Sequence, residues 1–304
     1  MTVYTRILVP LDGSELAERV LPYVSLLGNR LQSRIELLRV IEPISDELSD
    51  PDHGVDPHRI SASMVSHAQD YLAKVAASLN NEGLTVSCTV HEGDPASYIV
   101  GEAEKDPDTL VAISTHGRSG IRRWTLGSVT DKVLQATINP LLIIRAGDQE
   151  ATTTEVKLKT VIVPLDGSPV GEGILPHLTP LVAALGLKVT LLQVTPPAEE
   201  YYRYMDYPVA DYGDLSKEVD TQALAYFCRV SRKLRQQGVS SIEERLIHGH
   251  PAAAIVDYAS KTPDSLVAMG THGRSGVGRW ILGSVTDRVV QQSGDPVLVI
   301  RSEK

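Results

Sequence analysis

The sequence predicts two tandem α/β domains, each a doubly wound sheet of five parallel strands. A chain of 304 residues with 42% hydrophobic content can bury one sizeable core or two. The segment Val-Pro-Leu-Asp-Gly-Ser at residues 9–14 recurs at 163–168, an offset of 164 − 10 = 154. Within each half, short apolar runs suited to buried strands alternate with segments of helical period. Such alternation implies parallel sheets covered by helices on both faces.

The composition argues against several functional classes. A formal charge of −9 disfavours broad nucleic-acid binding, which needs a basic surface, although a local basic patch can still bind an anion. No apolar run approaches membrane-spanning length, and residues 1–6 lack a signal-peptide pattern. Cys88 and Cys228 lie at unmatched positions in the two halves, which is not a disulfide framework. We therefore expect a cytoplasmic protein that contacts neither nucleic acid nor membrane.

The first half begins with an apolar strand over Arg6–Pro10. Ser14 is the predicted N-cap of a helix whose apolar positions run from Leu16 to Leu31 at steps of three or four. Pro22 falls inside this helix, and we expect it to kink the helix rather than break it. The remaining elements are a strand over 35–40, an acidic loop over 41–57, a helix over 60–79, a strand over 85–91, a short helix over 95–104, a strand over 109–114, a helix opening at Ser128 and a strand over Leu141–Arg145.

The second half repeats this order. Its elements are a strand over Val161–Pro164, a helix around Leu175 with Pro176 in the place of Pro22, a strand over 189–194, a long loop, a helix over 215–236 and a strand over 242–247. A polar, non-periodic stretch at the join is the predicted linker. The predicted boundaries are 1–146 for the first domain, 147–157 for the linker and 158–304 for the second domain.

A glycine-bearing loop follows the fourth strand of each half. The second half reads Gly-Thr-His-Gly from residue 270, then nine residues, then Gly-Ser-Val-Thr from residue 283; the first half reads Ser-Thr-His-Gly from residue 114 and Gly-Ser-Val-Thr from residue 127. Glycines let a backbone approach a ligand closely, and a helix N-terminus attracts anions. The loop therefore predicts a phosphate cradle. Asp12 and Asp166 also follow strands, so both motifs meet at the sheet edge where doubly wound folds bind ligands.

At these residues the chain resembles the universal stress protein family in its tandem two-domain form. The family pattern is glycine, two residues, glycine, nine residues, then glycine and serine or threonine. Gly270, Gly273, Gly283 and Ser284 match it fully, whereas the first half has Ser114 in place of the first glycine. The resemblance covers nearly the whole chain. It implies a Rossmann-like, adenine nucleotide α-hydrolase-like fold in which the final strands of the two domains pair with each other.

The ATP-binding branch of that family implies a set of nucleotide contacts. The aspartate after the first strand meets adenine, a valine late in the second strand meets the base through its backbone, and the loop holds ribose and phosphates, with Mg²⁺ as a possible companion of ATP. The implied residues are Pro10, Leu11, Asp12, Val40, Ser114, His116, Gly117, Gly127, Ser128, Val129 and Thr130 in the first domain, and Pro164, Leu165, Asp166, Val194, Gly270, His272, Gly273, Gly283, Ser284, Val285 and Thr286 in the second.

Several of these residues keep a purely structural alternative. Asp12 and Asp166 suit Asx-turns as well as ligand contacts, and Ser14 and Ser168 suit helix caps. His116 and His272 have no carboxylate or cysteine at metal-ligand spacing, so a hydrogen bond to ribose or phosphate is the better interpretation. The arginines in or beside the nine-residue spans either form a positive rim suited to a triphosphate or belong to a solvated loop and pair with nearby acids. The matched Trp124 and Trp280 anchor the loop or a subunit contact, and the tyrosine-rich loop 201–212 covers a nucleotide, forms an interface or packs locally.

These observations predict an ATP-binding protein of stress response or signalling, acting through nucleotide-dependent conformation or partner binding with little or slow hydrolysis. A Walker-type lysine and an acidic Mg²⁺ cluster are both missing, so we assign no catalytic or metal-binding residue. One alternative is an ATP hydrolase or nucleotidyl-transfer enzyme. The other is a nucleotide-independent interaction module, which Ser114 favours for the first domain. We expect a homodimer of the two-domain chain and a protein partner that the sequence does not identify.

Overall fold

The computed structural model describes residues 4–44, 56–115, 126–145, 156–195, 212–271 and 282–301. The chain divides into two compact units, Thr2–Val156 and Lys157–Lys304. The described residues exclude most of the predicted linker, most of the tyrosine-rich loop and most of both nine-residue spans, with His116, Gly117, His272 and Gly273. In the described part of the chain, no helix combines the length and apolar character needed to cross a membrane.

The first unit is a parallel sheet with the strand order β3-β2-β1-β4-β5. The order reverses at β1, which has β2 on one side and β4 on the other, and such a switch point leaves a crevice at the carboxyl ends of the strands. The strands are β1 Arg6–Pro10, β2 Arg34–Ile41, β3 Val86–Glu92, β4 Thr109–Thr115 and β5 Leu141–Arg145, and the helices are α1 Glu15–Glu18, α2 Leu21–Leu31, α3 Pro57–Asn81, α4 Pro95–Ala103 and α5 Ser128–Ala136.

The second unit repeats the arrangement with the order β8-β7-β6-β9-β10. Its strands are β6 Thr160–Pro164, β7 Lys188–Thr195, β8 Ile242–His248, β9 Ser265–Gly270 and β10 Val297–Ile300; a 3₁₀ turn over Gly171–Ile174 precedes α6 Leu175–Leu185, and α7 Tyr212–Gln236, α8 Pro251–Ser260 and α9 Ser284–Gln292 follow. The predicted tandem doubly wound fold is confirmed. The pairing of final strands between the domains stays a prediction.

The central strands were predictable because their side chains are buried on both faces. Ile7, Leu8 and Val9 on β1 are each 0% exposed. A strand covered on both sides reads as a continuous apolar run rather than an alternating one. Each central strand therefore carries its own sequence signal.

The helix after β1 is broken, and the expectation of a kink was wrong. Ser14 does cap it, accepting a hydrogen bond of 3.1 Å at Oγ from the Ala17 N–H, but α1 ends at Glu18 and α2 starts at Leu21. Pro22 has no N–H to donate to the carbonyl four residues earlier. Instead, the N–H groups of Arg19 and Val20 donate three residues back, to carbonyls of α1. In the second unit the 3₁₀ turn over Gly171–Ile174 runs directly into α6, which has Pro176 in its first turn.

Candidate functional site

A cavity of about 290 Å³ lies at the carboxyl edge of the second unit. It opens where β6 and β9 end, at the switch point of the strand order. Nine of the predicted site residues line it: Pro164, Leu165, Asp166, Val194, Gly270, Gly283, Ser284, Val285 and Thr286. Segments that are far apart in sequence therefore meet around one space.

Asp166 borders the cavity from a tight turn that follows β6. The Oδ1 atom of Asp166 accepts hydrogen bonds from the N–H and the Oγ of Ser168, at 3.0 and 2.7 Å. Ser168 Oγ in turn accepts from the Gly171 N–H at 3.0 Å. Gly167, between them, has φ +84°, which favours glycine. The Asx-turn and cap interpretations are therefore confirmed, and Asp166 also borders the cavity.

A half-buried tyrosine, Tyr226, lies within electrostatic range of this carboxylate. Burial raises the pKa of Tyr226, and the negative charges of Glu172 and Asp166 raise it further, while Arg229 acts in the opposite direction. The Arg229 guanidinium lies 5.1 Å from the ring centroid of Tyr226 and donates to Glu172 at 3.0 Å. The phenol therefore stays neutral at physiological pH, and Asp166 remains the acidic group of the cavity wall.

The start of α9 also borders the cavity. Gly283 is its N-cap, and the Asp287 N–H makes the first helical bond to the Gly283 carbonyl at 2.9 Å. The N–H groups of residues 284–286 belong to the first turn, where a helix offers them no acceptor. All three residues line the cavity. Unpaired N–H groups and the positive end of the helix dipole suit an anion at this point.

Apolar side chains line part of the same cavity. They come from β7, α8 and β9, namely Leu192, Val194, Ile255 and Met269. Sequence reasoning named Val194 but missed the other three and also missed Gly171 and Pro251. Leu192 was recoverable, because residues two apart on a strand share a face. Ile255 was not, because the helix face that meets the cavity depends on how α8 packs on the sheet.

The first unit places its predicted residues at the matching edge. Leu11 extends β1 by donating its N–H to the Leu38 carbonyl at 2.9 Å, Val40 lies on β2, and Gly127 is the N-cap of α5. Asp12 forms the same turn as Asp166, accepting from the N–H and Oγ of Ser14 at 2.9 and 2.6 Å. The remaining described members are Pro10 at the end of β1, Ser114 on β4, and Ser128, Val129 and Thr130 in the first turn of α5.

The fold and the site define a class of protein. It is a doubly wound α/β protein with an acidic turn and a helix N-terminus at the switch point of its strand order. Comparison with known proteins gives the family. The sequence model of the universal stress protein family matches residues 3–145 and again 157–301. The chain belongs to the universal stress protein family, with two family domains in tandem.

The relatives of this chain include one that matches its full length and one that matches half of it. A universal stress protein of Mycolicibacterium smegmatis is 24% identical over 297 residues, covering 97% of this chain and 96% of its own. A shorter one from Methanocaldococcus jannaschii is 31% identical over 153 residues, covering 48% of this chain and 84% of its own. The crystal structure of a universal stress protein from Archaeoglobus fulgidus aligns with a TM-score of 0.71 at 23% identity, covering 98% of both chains. That structural likeness supports the fold.

Proposed function

We propose that this universal stress protein binds ATP in the cavity of its second domain. The observation that carries the proposal is the combination of groups that line that cavity. A carboxylate, several apolar side chains and the first turn of a helix all border the same space. ATP presents an amino group, an apolar ring and a chain of anionic phosphates, and each of these has a complementary group in that lining.

Each part of the cavity fits one part of the nucleotide. A carboxylate such as that of Asp166 accepts from an exocyclic amino group, because it has only acceptors to offer. Leu192, Val194 and Ile255 offer an apolar surface to a base. The N–H groups at the start of α9 donate to phosphate oxygens, and the exposed Ser284 hydroxyl adds a donor. The volume is near the lower end of small-molecule sites, about 300 Å³.

The output that we propose is signalling in stress response through nucleotide-dependent conformation or partner binding, with slow hydrolysis at most. Any Mg²⁺ would arrive with the triphosphate: no group of three or more His, Cys, Asp or Glu side chains suited to a metal ion occurs among the residues that the structure describes. Multiple-turnover release of ADP or AMP at rates of about 1 s⁻¹ or faster would instead favour the enzyme alternative.

Calorimetry with ATP tests the binding proposal. The purified chain is expected to give a saturable heat, and heat-released extracts should contain adenine nucleotide. Gly283→Val places a branched side chain on the cavity wall and should reduce ATP occupancy, as should Asp166→Ala. Gly294→Val is the matched control, because a Cβ there meets nothing within 4 Å. A wild-type chain that gives neither heat nor extractable nucleotide contradicts the proposal.

A further inference from the structure

Of the residues that line the second-domain cavity, three differ from their counterparts in the first domain: Met269 corresponds to Ile113, and the other two are glycines. With the offset of 154, Gly171 corresponds to Ala17; with the loop offset of 272 − 116 = 156, Gly270 corresponds to Ser114. Gly171 and Gly270 both line the second-domain cavity. In each case the first domain has side-chain atoms where the second has bare backbone.

The first difference lies beside the acidic turn. The hydrogen bonds that fix the turn are nearly equal in length in the two domains, since Ser14 Oγ accepts from Ala17 at 3.1 Å and Ser168 Oγ accepts from Gly171 at 3.0 Å. A Cβ added to Gly171 would lie 2.7 Å from Asp166 Oδ1, closer than real Cβ contacts. A methyl group at position 171 would therefore need space that the Asp166 carboxylate occupies. Consistent with this, Asp166 is half-buried and Asp12 is exposed.

The second difference lies at the end of the fourth strand. Ser114 is 8% exposed, and its Oγ has no hydrogen-bond partner among the described residues. A buried hydroxyl without a partner costs free energy. Its counterpart Gly270 brings only backbone to the cavity wall, and its carbonyl already accepts a hydrogen bond of 2.9 Å from Thr286. The first domain therefore carries a buried hydroxyl at the position where the second domain has only backbone.

We infer that the chain holds one tight ATP site, in the second domain, and that Gly171 and Gly270 are the residues that set this preference. The inference rests on the proposed function. Gly171 lets the carboxylate turn into the cavity toward the base, and Gly270 leaves the space beside the first turn of α9 open. Ala17 and Ser114 remove both features from the first domain, whose affinity for ATP is at least tenfold lower.

Reciprocal exchange of these residues tests the inference by titration calorimetry. Wild-type chain is expected to bind one tight equivalent of ATP. The double variant Gly171→Ala/Gly270→Ser should bind ATP at least tenfold more weakly, equivalent to about 1.4 kcal/mol of binding free energy. Ala17→Gly with Ser114→Gly should add a second tight equivalent. Gly294→Ser, whose Cβ meets nothing within 4 Å, controls for adding a serine to the second domain. Thermal unfolding of each variant reports whether its fold is intact.

The possible results separate the inference from the proposed function. Two wild-type equivalents of indistinguishable affinity would overturn the inference while leaving ATP binding in place. One tight equivalent that survives the Gly171→Ala/Gly270→Ser exchange in a folded variant would show that other residues set the preference. A wild-type chain that binds no ATP would overturn the proposed function and the inference together.

Discussion

The Thr286 hydroxyl donates a hydrogen bond of 2.9 Å to the Gly270 carbonyl. This bond joins the first turn of α9 to the last residue of β9, and Thr286 is only 3% exposed. A second bond, from the Gly283 N–H to the Thr271 carbonyl at 2.8 Å, closes the same junction. The two bonds hold the N–H groups at the start of α9 at a fixed position beside the cavity.

Thr286→Val is expected to loosen this junction. Valine keeps the branched shape of threonine but leaves the buried Gly270 carbonyl without its hydroxyl donor, which costs about 1–3 kcal/mol. Chemical denaturation should show a lower free energy of unfolding for the second domain. Calorimetry should show weaker ATP binding, because the phosphate end of the cavity is no longer held in place.

Thr286→Ser is the control for this variant. Serine keeps the hydroxyl and loses one methyl group, so ATP affinity should stay close to that of the wild type. Equal loss of affinity in the serine and valine variants would show that methyl packing, rather than the hydrogen bond, positions α9.

The fold was predictable because its strongest determinants are local. Buried strands such as β1 and β5 are continuous apolar runs, and β5 was predicted with its observed limits, Leu141–Arg145. Asp166 and the glycine loop were predictable for a different reason, since turn and loop motifs follow strands and parallel strands end at one edge. Val194 was named only because the chain resembles the universal stress protein family.

The features that the sequence did not predict depend on tertiary packing. The break at Pro22 follows from which carbonyls accept the N–H groups of Arg19 and Val20, and the helical period alone does not contain that information. The role of Gly171 likewise became visible only through the 2.7 Å approach of Asp166 to the position of a Cβ. In sequence, Ala17 and Gly171 differ by one methyl group.

Arg6 is expected to be a large contributor to stability in the first domain. It is 5% exposed, and its guanidinium bonds Thr109 Oγ1 at 2.9 Å, Glu36 at 3.0 Å and Glu102 at 3.4 Å. Arg6→Thr removes the cation that pairs with the largely buried Glu36 and leaves Glu102 with Lys105 alone, and breaking a buried ion pair typically costs about 3–5 kcal/mol. The free energy of unfolding of the first domain, followed by urea denaturation, measures this loss.

Arg34→Ala is the matched control for Arg6. Its guanidinium lies 3.0 Å from Asp106, the same distance as Arg6 from Glu36, but the Arg34 side chain is 59% exposed rather than 6%. An exposed pair contributes about 0–1 kcal/mol, so the free energy of unfolding of this variant should change little.

The second domain has Thr160 and Thr190 in place of Arg6 and Glu36. Arg6→Thr with Glu36→Thr should therefore be more stable than Arg6→Thr alone, and failure to recover would mean that the loss is not due to an unpaired charge.

Asp295→Asn is expected to stabilise the second domain at neutral pH. Burial raises the pKa of Asp295 above its ordinary value, opposed by a hydrogen bond of 3.2 Å that its carboxylate accepts from Ser265. The folded chain therefore holds this proton to higher pH than the unfolded chain does. Stability falls as pH rises from about 3.9, the ordinary aspartate pKa, through the raised one. An asparagine keeps the Ser265 acceptor and has no charge to bury.

The repeat already contains this substitution. With the loop offset of 156, Asp295 corresponds to Asn139, which is 3% exposed and donates from its amide to the Asp106 carbonyl at 3.1 Å. The gain in unfolding free energy of Asp295→Asn over the wild type should thus grow between pH 4 and pH 7. The exposed Asp257, which pairs with Lys261 at 2.7 Å, provides Asp257→Asn as a control for the same substitution at an exposed position. A gain for Asp295→Asn that is constant or shrinks as pH rises would mean that the folded chain does not disfavour the charged form of Asp295.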